Sequence, residues 1–354
     1  MTFLKVDLHT HILPKQWPDL SRKYGTGGWA QLDHFEPDRA RMMLNGKNFR
    51  TIECNCWHPP ARLQDMSATS SHIQVLSTVP VMFNYHQNPE HTLDLARYLN
   101  DHIAQCCAED PKHFVGLGTV PMQAPELAAA EVRRCVEELG LKGIQIGSHI
   151  NQWNLDAQEL DVLWKTCEEL DCAIFVHPWD MDNKGRMEKF WFPWLIGMAS
   201  ILLMKPCETT VSICSLLMGG VFDRFPNLKV CFAHGGGSFP ATLGRINHGF
   251  EARPDLCATK TKRSPASYVK EGKIKVDSLV HDEDTLRFLI IKMGIDNIML
   301  GSDYPFPLGD LEVGKMIIDG CEWLSVEDKN KILSTNAVRF LGIEDVVTKY
   351  WSEL

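Results

Sequence analysis

The stretch Val6-Asp7-Leu8-His9-Thr10-His11 reads as the end of a buried β-strand. Side chains alternate across a strand, so His9 and His11 point to one face. The apolar run that leads into it, Phe3 to Leu8, is the first of eight. The others are Ile73 to Thr78, Phe114 to Thr119, Gly143 to Gly147, Cys172 to Val176, Leu228 to Ala233, Lys273 to Asp277 and Asn297 to Gly301. Amphipathic segments lie between most of them. The clearest predicts a helix over Glu126 to Leu139, with Ala128, Val132, Cys135, Val136 and Leu139 inward and Glu131, Arg133, Arg134, Glu137 and Glu138 outward. Pro125 opens it and Gly140 ends it, as capping requires. Eight strands alternating with helices predict an α/β fold whose parallel sheet closes as a (β/α)8 TIM-type barrel. In such a barrel the face carrying His9 and His11 is the interior at the C-terminal mouth.

Length and composition agree with this. A chain of 354 residues, 44% hydrophobic and 23% charged, can bury a large core, and α/β barrels often exceed about 250 residues as one domain. We expect one catalytic domain over residues 1–342 and a C-terminal tail over 343–354. About sixty residues separate the first two runs, far more than an ordinary βα loop, so residues 12–71 predict a small lobe inserted over the barrel mouth. The net charge of -9 argues against a nucleic-acid partner, which needs a basic face to displace counterions. The twelve cysteines are scattered through apolar runs such as Val230-Cys231-Phe232 and read as packing residues in a reducing, cytosolic setting. The opening Met1 to Asp7 lacks the basic-then-apolar order of a signal peptide. The longest uncharged apolar stretch, Trp191 to Met204, is too short for a bilayer, so no membrane role is expected.

Three further strand ends carry groups like those of the first. The fifth run leads into His177-Pro178, the sixth into His234-Gly235-Gly236-Gly237 and the eighth into Ser302-Asp303-Tyr304-Pro305. A lone histidine at such a place is more often a hydrogen-bonded structural residue than a catalytic one. Four strand ends converging on one mouth, however, is how barrel active sites are built. Imidazoles with a carboxylate suit zinc, although cobalt or iron suit the same nitrogen and oxygen donors. His-Gly-Gly-Gly also occurs in esterase oxyanion loops, but those need a Gly-x-Ser-x-Gly elbow that this sequence lacks. Its glycines are expected to let the backbone approach the pocket closely.

This constellation resembles the amidohydrolase superfamily, and within it a decarboxylase branch. The matching stretches begin with His9 to Lys15, Phe49-Arg50, Asn55-Cys56-Trp57, Leu76 to Phe83 and Gly116 to Thr119. They continue through His177 to Met181, His234 to Gly237, Gly244-Arg245-Ile246 and Asp303 to Pro307. The resemblance implies that His9, His11, His177 and Asp303 hold one Zn2+ per subunit, with a position left open for water. A single ion is implied because the fourth strand ends in Gln145-Ile146-Gly147-Ser148, where two-metal relatives carry a modified lysine. It further implies His234 as general acid/base, Arg50 and Arg245 as grips on substrate carboxylates, and Phe49, Met181, Trp194 and Phe306 as pocket walls. A homodimer in which Arg245 reaches the neighbouring subunit's site is also implied. The expected reaction is the non-hydrolytic decarboxylation of a small dicarboxylate, 2-amino-3-carboxymuconate 6-semialdehyde, in tryptophan catabolism through the kynurenine pathway, limiting quinolinate. Alternatives are a hydroxybenzoate-type decarboxylase, a lactone or amide hydrolase, or a non-catalytic binding protein of the same fold. One departure from the family stands out: extra apolar residues around Ser200 to Lys205, close to Trp194.

Overall fold

The computed structural model describes residues 2–179 and 204–354. In chain order the strands are β1 (Val6–His11), β2 (Gln31–Glu36), β3 (Arg39–Leu44), β4 (Lys47–Glu53), β5 (Ile73–Ser77), β6 (Phe114–Gly118), β7 (Gly143–Gly147), β8 (Ala173–His177), β9 (Lys229–Phe232), β10 (Ile274–Asp277) and β11 (Ile298–Met299). Eight of them form one parallel sheet in the order β1-β5-β6-β7-β8-β9-β10-β11. The ring closes where the Leu8 N–H donates to Leu300 O at 2.9 Å and Thr10 bridges Tyr304. This is the expected (β/α)8 barrel. Each barrel strand lies within three residues of its predicted run, and β1 continues through His9 and His11 instead of stopping at Leu8.

Helices cover the outside of the ring. Ile144, Ile146, Ile174 and Val176 pack against Leu163, Trp164 and Ile213 in the largest apolar cluster. Each fully buried side chain of this kind contributes about 1.5–3 kcal/mol. Residues 343–354 are ordered as well: a helix spans Glu344–Tyr350, and the Trp351 indole N–H donates to Lys112 O at 3.1 Å. The Trp351 ring meets His72 edge-on at 4.9 Å, covering the end of the barrel where β5 and β6 begin. No helix among the described residues is long and apolar enough to cross a membrane.

The predicted helix over 126–139 differs in two ways. It runs as an α-helix over Pro125–Arg133 and then widens into a π turn over Arg134–Glu138. Glu131, expected to face water, is 1% exposed. Its carboxylate accepts from Asn100 Nδ2 at 2.7 Å and from Arg134 Nη2 at 2.8 Å. Those partners make burial tolerable for a charge that would otherwise stay in solvent.

Residues 12–71 contain an antiparallel sheet in the order β2-β3-β4. Asn45 and Gly46, both at positive φ (51° and 74°), make the two-residue β3–β4 turn, the backbone such a hairpin requires. The lobe is pinned over the mouth by Trp17, Trp29, Met42 and Trp57, which cluster with Val79, Met82 and Phe306 of the barrel loops.

Burial leaves an acid-sensitive signature away from the mouth. His72, whose Nδ1 accepts from the Lys5 N–H at 3.2 Å, is held down to about 4, first by burial and then by the charges of Lys5, His113 and Lys112. Burial likewise lowers His102 to about 4. Between pH 6.5 and 4 the unfolded chain therefore binds protons that the native protein excludes, so stability falls as pH falls through that window. The urea midpoint is expected to drop between pH 7 and pH 4.5, and a His72→Asn/His102→Asn double variant to flatten that drop. A midpoint of equal pH slope in both proteins would contradict this assignment.

Candidate metal centre

Five side chains from four strand ends meet at the C-terminal mouth. All of β1 is buried, and it presents His9 and His11 inward together, their Nε2 atoms 3.2 Å apart. Asp303 follows β11, and its Oδ1 lies 3.0 Å from His11 Nε2 and 3.3 Å from His9 Nε2. His177 ends β8, with its ring centroid 5.1 Å from His9 and 5.2 Å from His11. His234 follows β9; its Nε2 is 3.8 Å from Asp303 Oδ2. One potential ligand atom each from His9, His177, His234 and Asp303 lies within 4.8 Å of the others.

The hydrogen bonds on the far side of these rings determine what the near side offers. His11 Nδ1 is 2.9 Å from Thr78 O, and His177 Nδ1 is 2.8 Å from Pro178 O. A carbonyl oxygen only accepts, so each Nδ1 carries the proton and each Nε2 presents a bare lone pair. His9 Nδ1 does the same toward Asp277 Oδ2 at 2.8 Å. His177 Nε2 is buried with no hydrogen-bond partner among the described residues. Three lone pairs and a carboxylate oxygen gathered in a water-poor pocket fit a divalent cation, with partners behind the imidazoles that are usual at metal sites.

The electrostatics follow the same division. Burial holds the imidazolium forms of His11 and His177 below the ordinary histidine value. Burial opposes charge on His9 too, but the Asp303 and Asp277 carboxylates outweigh it and raise His9 to about 10. The carboxylates thus favour positive charge at His9 Nε2, carried either by a proton or by a cation that displaces it and takes up the lone pair. Asp303 is pushed the other way: burial disfavours its charge, but the histidines hold it well below the usual carboxylate range.

His234 differs from the other imidazoles in two respects. Its side chain is 27% exposed, against none for His9, and its backbone is left-handed (φ 56°). Gly235, Gly236 and Gly237 continue with positive φ, so the glycines serve backbone conformation as well as close approach. Asp303 is also left-handed (φ 57°); such backbone at a non-glycine residue costs about 1–3 kcal/mol and clusters at functional sites.

Arg50, on β4, lies with its Cζ 4.4 Å from the Phe306 ring centroid, and Phe306 sits 5.6 Å from the His11 ring. The lobe therefore delivers a cation to the edge of the cluster. Phe49 is exposed on the outer side of Arg50. Arg245 is exposed on the helix Phe239–Ala252. Met181, Trp194 and the extra apolar residues up to 203 lie outside the described residues, and a helix begins at Met204. A cavity of about 600 Å³ lies between lobe and barrel, lined in part by Arg39, Glu53, Asp65, Tyr304 and Phe306. None of the clustered histidines lines it, but Phe306 borders both this cavity and the His11 ring.

Two residues that the sequence did not single out support the site. Asp277 ends β10 behind His9, and its only signal was an acid closing the seventh run. Arg62 is fully buried. Its guanidinium donates to His11 O at 2.6 Å, Asn55 O at 3.1 Å, Gln74 Oε1 at 3.1 Å and Thr10 Oγ1 at 3.2 Å, and lies over the Tyr304 ring at 4.7 Å. Nothing in an amphipathic helix marks an arginine as buried. Arg62→Met leaves those acceptors unsatisfied and is expected to cost about 2–4 kcal/mol of stability, read from urea unfolding, with Arg62→Lys recovering part. A loss below 1 kcal/mol in the methionine variant would show that the lattice of bonds is dispensable.

With the geometry in place, similarity to known proteins becomes informative. The amidohydrolase family model matches residues 6–343. The chain belongs to the amidohydrolase family. Within that family it is 55% identical over 341 residues to 2-amino-3-carboxymuconate-6-semialdehyde decarboxylase of Dictyostelium discoideum, covering 96% of this chain and 92% of the relative. It is 39% identical to the enzyme of the same name from Caenorhabditis elegans, covering 96% and 95%. This amidohydrolase is therefore an enzyme of the decarboxylase, or carboxy-lyase, branch. Among solved structures, 5-carboxyvanillate decarboxylase from Novosphingobium aromaticivorans, with bound manganese and 3-methoxy-4-hydroxy-5-nitrobenzoic acid, superposes with a TM-score of 0.77 at 24% identity. That match covers 96% of this chain and 97% of the other and confirms the barrel.

Proposed function

We propose that this amidohydrolase decarboxylates 2-amino-3-carboxymuconate 6-semialdehyde to 2-aminomuconate 6-semialdehyde and carbon dioxide. The observation that carries the reading is the cluster of bare Nε2 atoms converging on Asp303, with a more exposed imidazole and an arginine at its rim. It is supported by the relatives' names. His9, His11, His177 and Asp303 would hold one divalent ion, for which we propose zinc on the chemistry of three imidazoles and a carboxylate; the manganese of the vanillate enzyme makes that ion the competing occupant. When bound, such an ion supplies Lewis acidity, lowering the pKa of water and stabilising developing negative charge.

The chain's own residues do the rest. Arg50 grips a substrate carboxylate through paired N–H groups, and Arg245 of a neighbouring subunit supplies a second grip in a homodimer. Phe306 walls the pocket and orients Arg50. His234 Nε2 takes a proton from water as the water oxygen adds to the conjugated diene, beside the carbon that bears the departing carboxylate. It then delivers that proton to the carboxylate-bearing carbon. Cleavage of the C–C bond releases carbon dioxide, and its electron pair restores the diene as hydroxide leaves. The net change is replacement of a carboxylate by a proton, with no oxidant required. A histidine suits both transfers because its ordinary pKa lies near neutrality.

We place the reaction in the cytosol, in keeping with ten buried cysteines among the twelve, and in tryptophan catabolism, where it diverts substrate from quinolinate. The test is incubation of zinc-loaded protein with the semialdehyde, following loss of its absorbance together with carbon dioxide release. Turnover of a hydroxybenzoate without turnover of the semialdehyde would replace this reading with an aromatic-acid decarboxylase.

A further inference from the structure

We infer that Asp277 is a positioning residue that couples the ligand His9 to the base His234, so that one carboxylate sets both the tautomer of the first and the location of the second. The inference rests on the roles assigned to His9 and His234 above. Asp277 is fully buried and accepts four hydrogen bonds. Oδ2 takes His9 Nδ1–H at 2.8 Å and the His234 backbone N–H at 2.9 Å. Oδ1 takes the Gly235 N–H at 2.8 Å and the Leu279 N–H at 3.2 Å.

The pairing on Oδ2 is the decisive feature. The same oxygen that fixes the proton on His9 Nδ1, and so bares Nε2, also holds the amide of the residue whose left-handed backbone aims the base. A shift of His9 therefore moves the carboxylate, and the carboxylate moves His234 through main chain already in a strained region. Gly301 on the neighbouring strand end shows how tightly the pair is set: a Cβ there would lie 2.7 Å from Asp277 Cβ and 3.0 Å from His9 Cβ.

Asp277→Asn separates this role from simple packing, because the side chain is nearly isosteric while all four partners are donors. An amide must turn its NH2 either toward Gly235 and Leu279 or toward His9 and His234. The first choice sets donor against donor in the loop that carries the base. The second forces His9 into the other tautomer and places a proton on Nε2. The second choice is expected to lower zinc affinity, measured by chelator competition, about 10–100-fold, the usual effect of losing a partner behind a metal ligand; the first keeps His9 Nδ1–H bonded to the amide oxygen and displaces the base alone. At saturating zinc, kcat is expected to stay at least tenfold down with KM unchanged, because the base is displaced and the substrate grips are not.

A second measurement uses the wild-type protein and does not depend on the variant folding: hydrogen exchange of the His234 and Gly235 amides. Zinc addition is expected to slow both. Unchanged zinc affinity and kcat in a folded Asp277→Asn protein, or exchange at those amides indifferent to zinc, would overturn the coupling. If His9→Ala instead binds zinc as the wild type does, the metal assignment itself fails, and that result is separate from failure of the coupling.

Discussion

His9→Ala is expected to empty the metal centre. The variant loses a lone pair that lies within 3.3 Å of both His11 Nε2 and Asp303 Oδ1. Losing a partner behind a ligand already costs about 10–100-fold in metal affinity, so losing the ligand is expected to cost more than about 100-fold. Metal analysis after passage over a chelating column should find about one ion per chain in the wild type and none in the variant, with carbon dioxide release reduced to background. Retention of one tightly held ion by His9→Ala would remove His9 from the ligand set.

His234→Ala is expected to give the opposite pattern: a full complement of metal and almost no turnover. Positioned proton transfer contributes about 10²–10⁴-fold, so kcat should fall by that factor while KM moves little, since Arg50 and Phe306 are untouched. The comparison matters because distance alone does not separate the two roles; His234 is as close to Asp303 as a ligand needs to be. Its partial exposure separates it from the buried imidazoles. Loss of metal from His234→Ala would make it a ligand and leave the proton transfers without a base.

Much of this architecture was legible because barrels place their chemistry at strand ends, where sequence motifs are short and local. His9, His11, His177, His234 and Asp303 each follow an apolar run, and the runs gave the strands to within a few residues. What escaped notice was set by tertiary partners. A charge such as Glu131 is expected in solvent by default, and it is Asn100, Arg97 and Arg134 that make its burial tolerable. Arg62 escaped for the same reason, its acceptors being carbonyls that no sequence pattern displays. The lobe's strands were missed because β2 is largely solvent-facing and shows no clean alternation of apolar residues. Asp277 was visible as a strand-end acid, but its four donors come from three separate segments that only the closed barrel brings together.

The closure of the ring through Leu8 and Leu300 also has a consequence for biosynthesis. His9 and His11 leave the ribosome well before Asp303; Asp7 and Ser302, which bond across the same seam, are 295 positions apart. Contacts of such separation form late, after the entropy of closing the intervening chain has been overcome. In that interval a nascent chain carries His9 and His11 without the carboxylate that completes the cluster. Tight metal retention is therefore expected only once β1 and β11 have met across that seam.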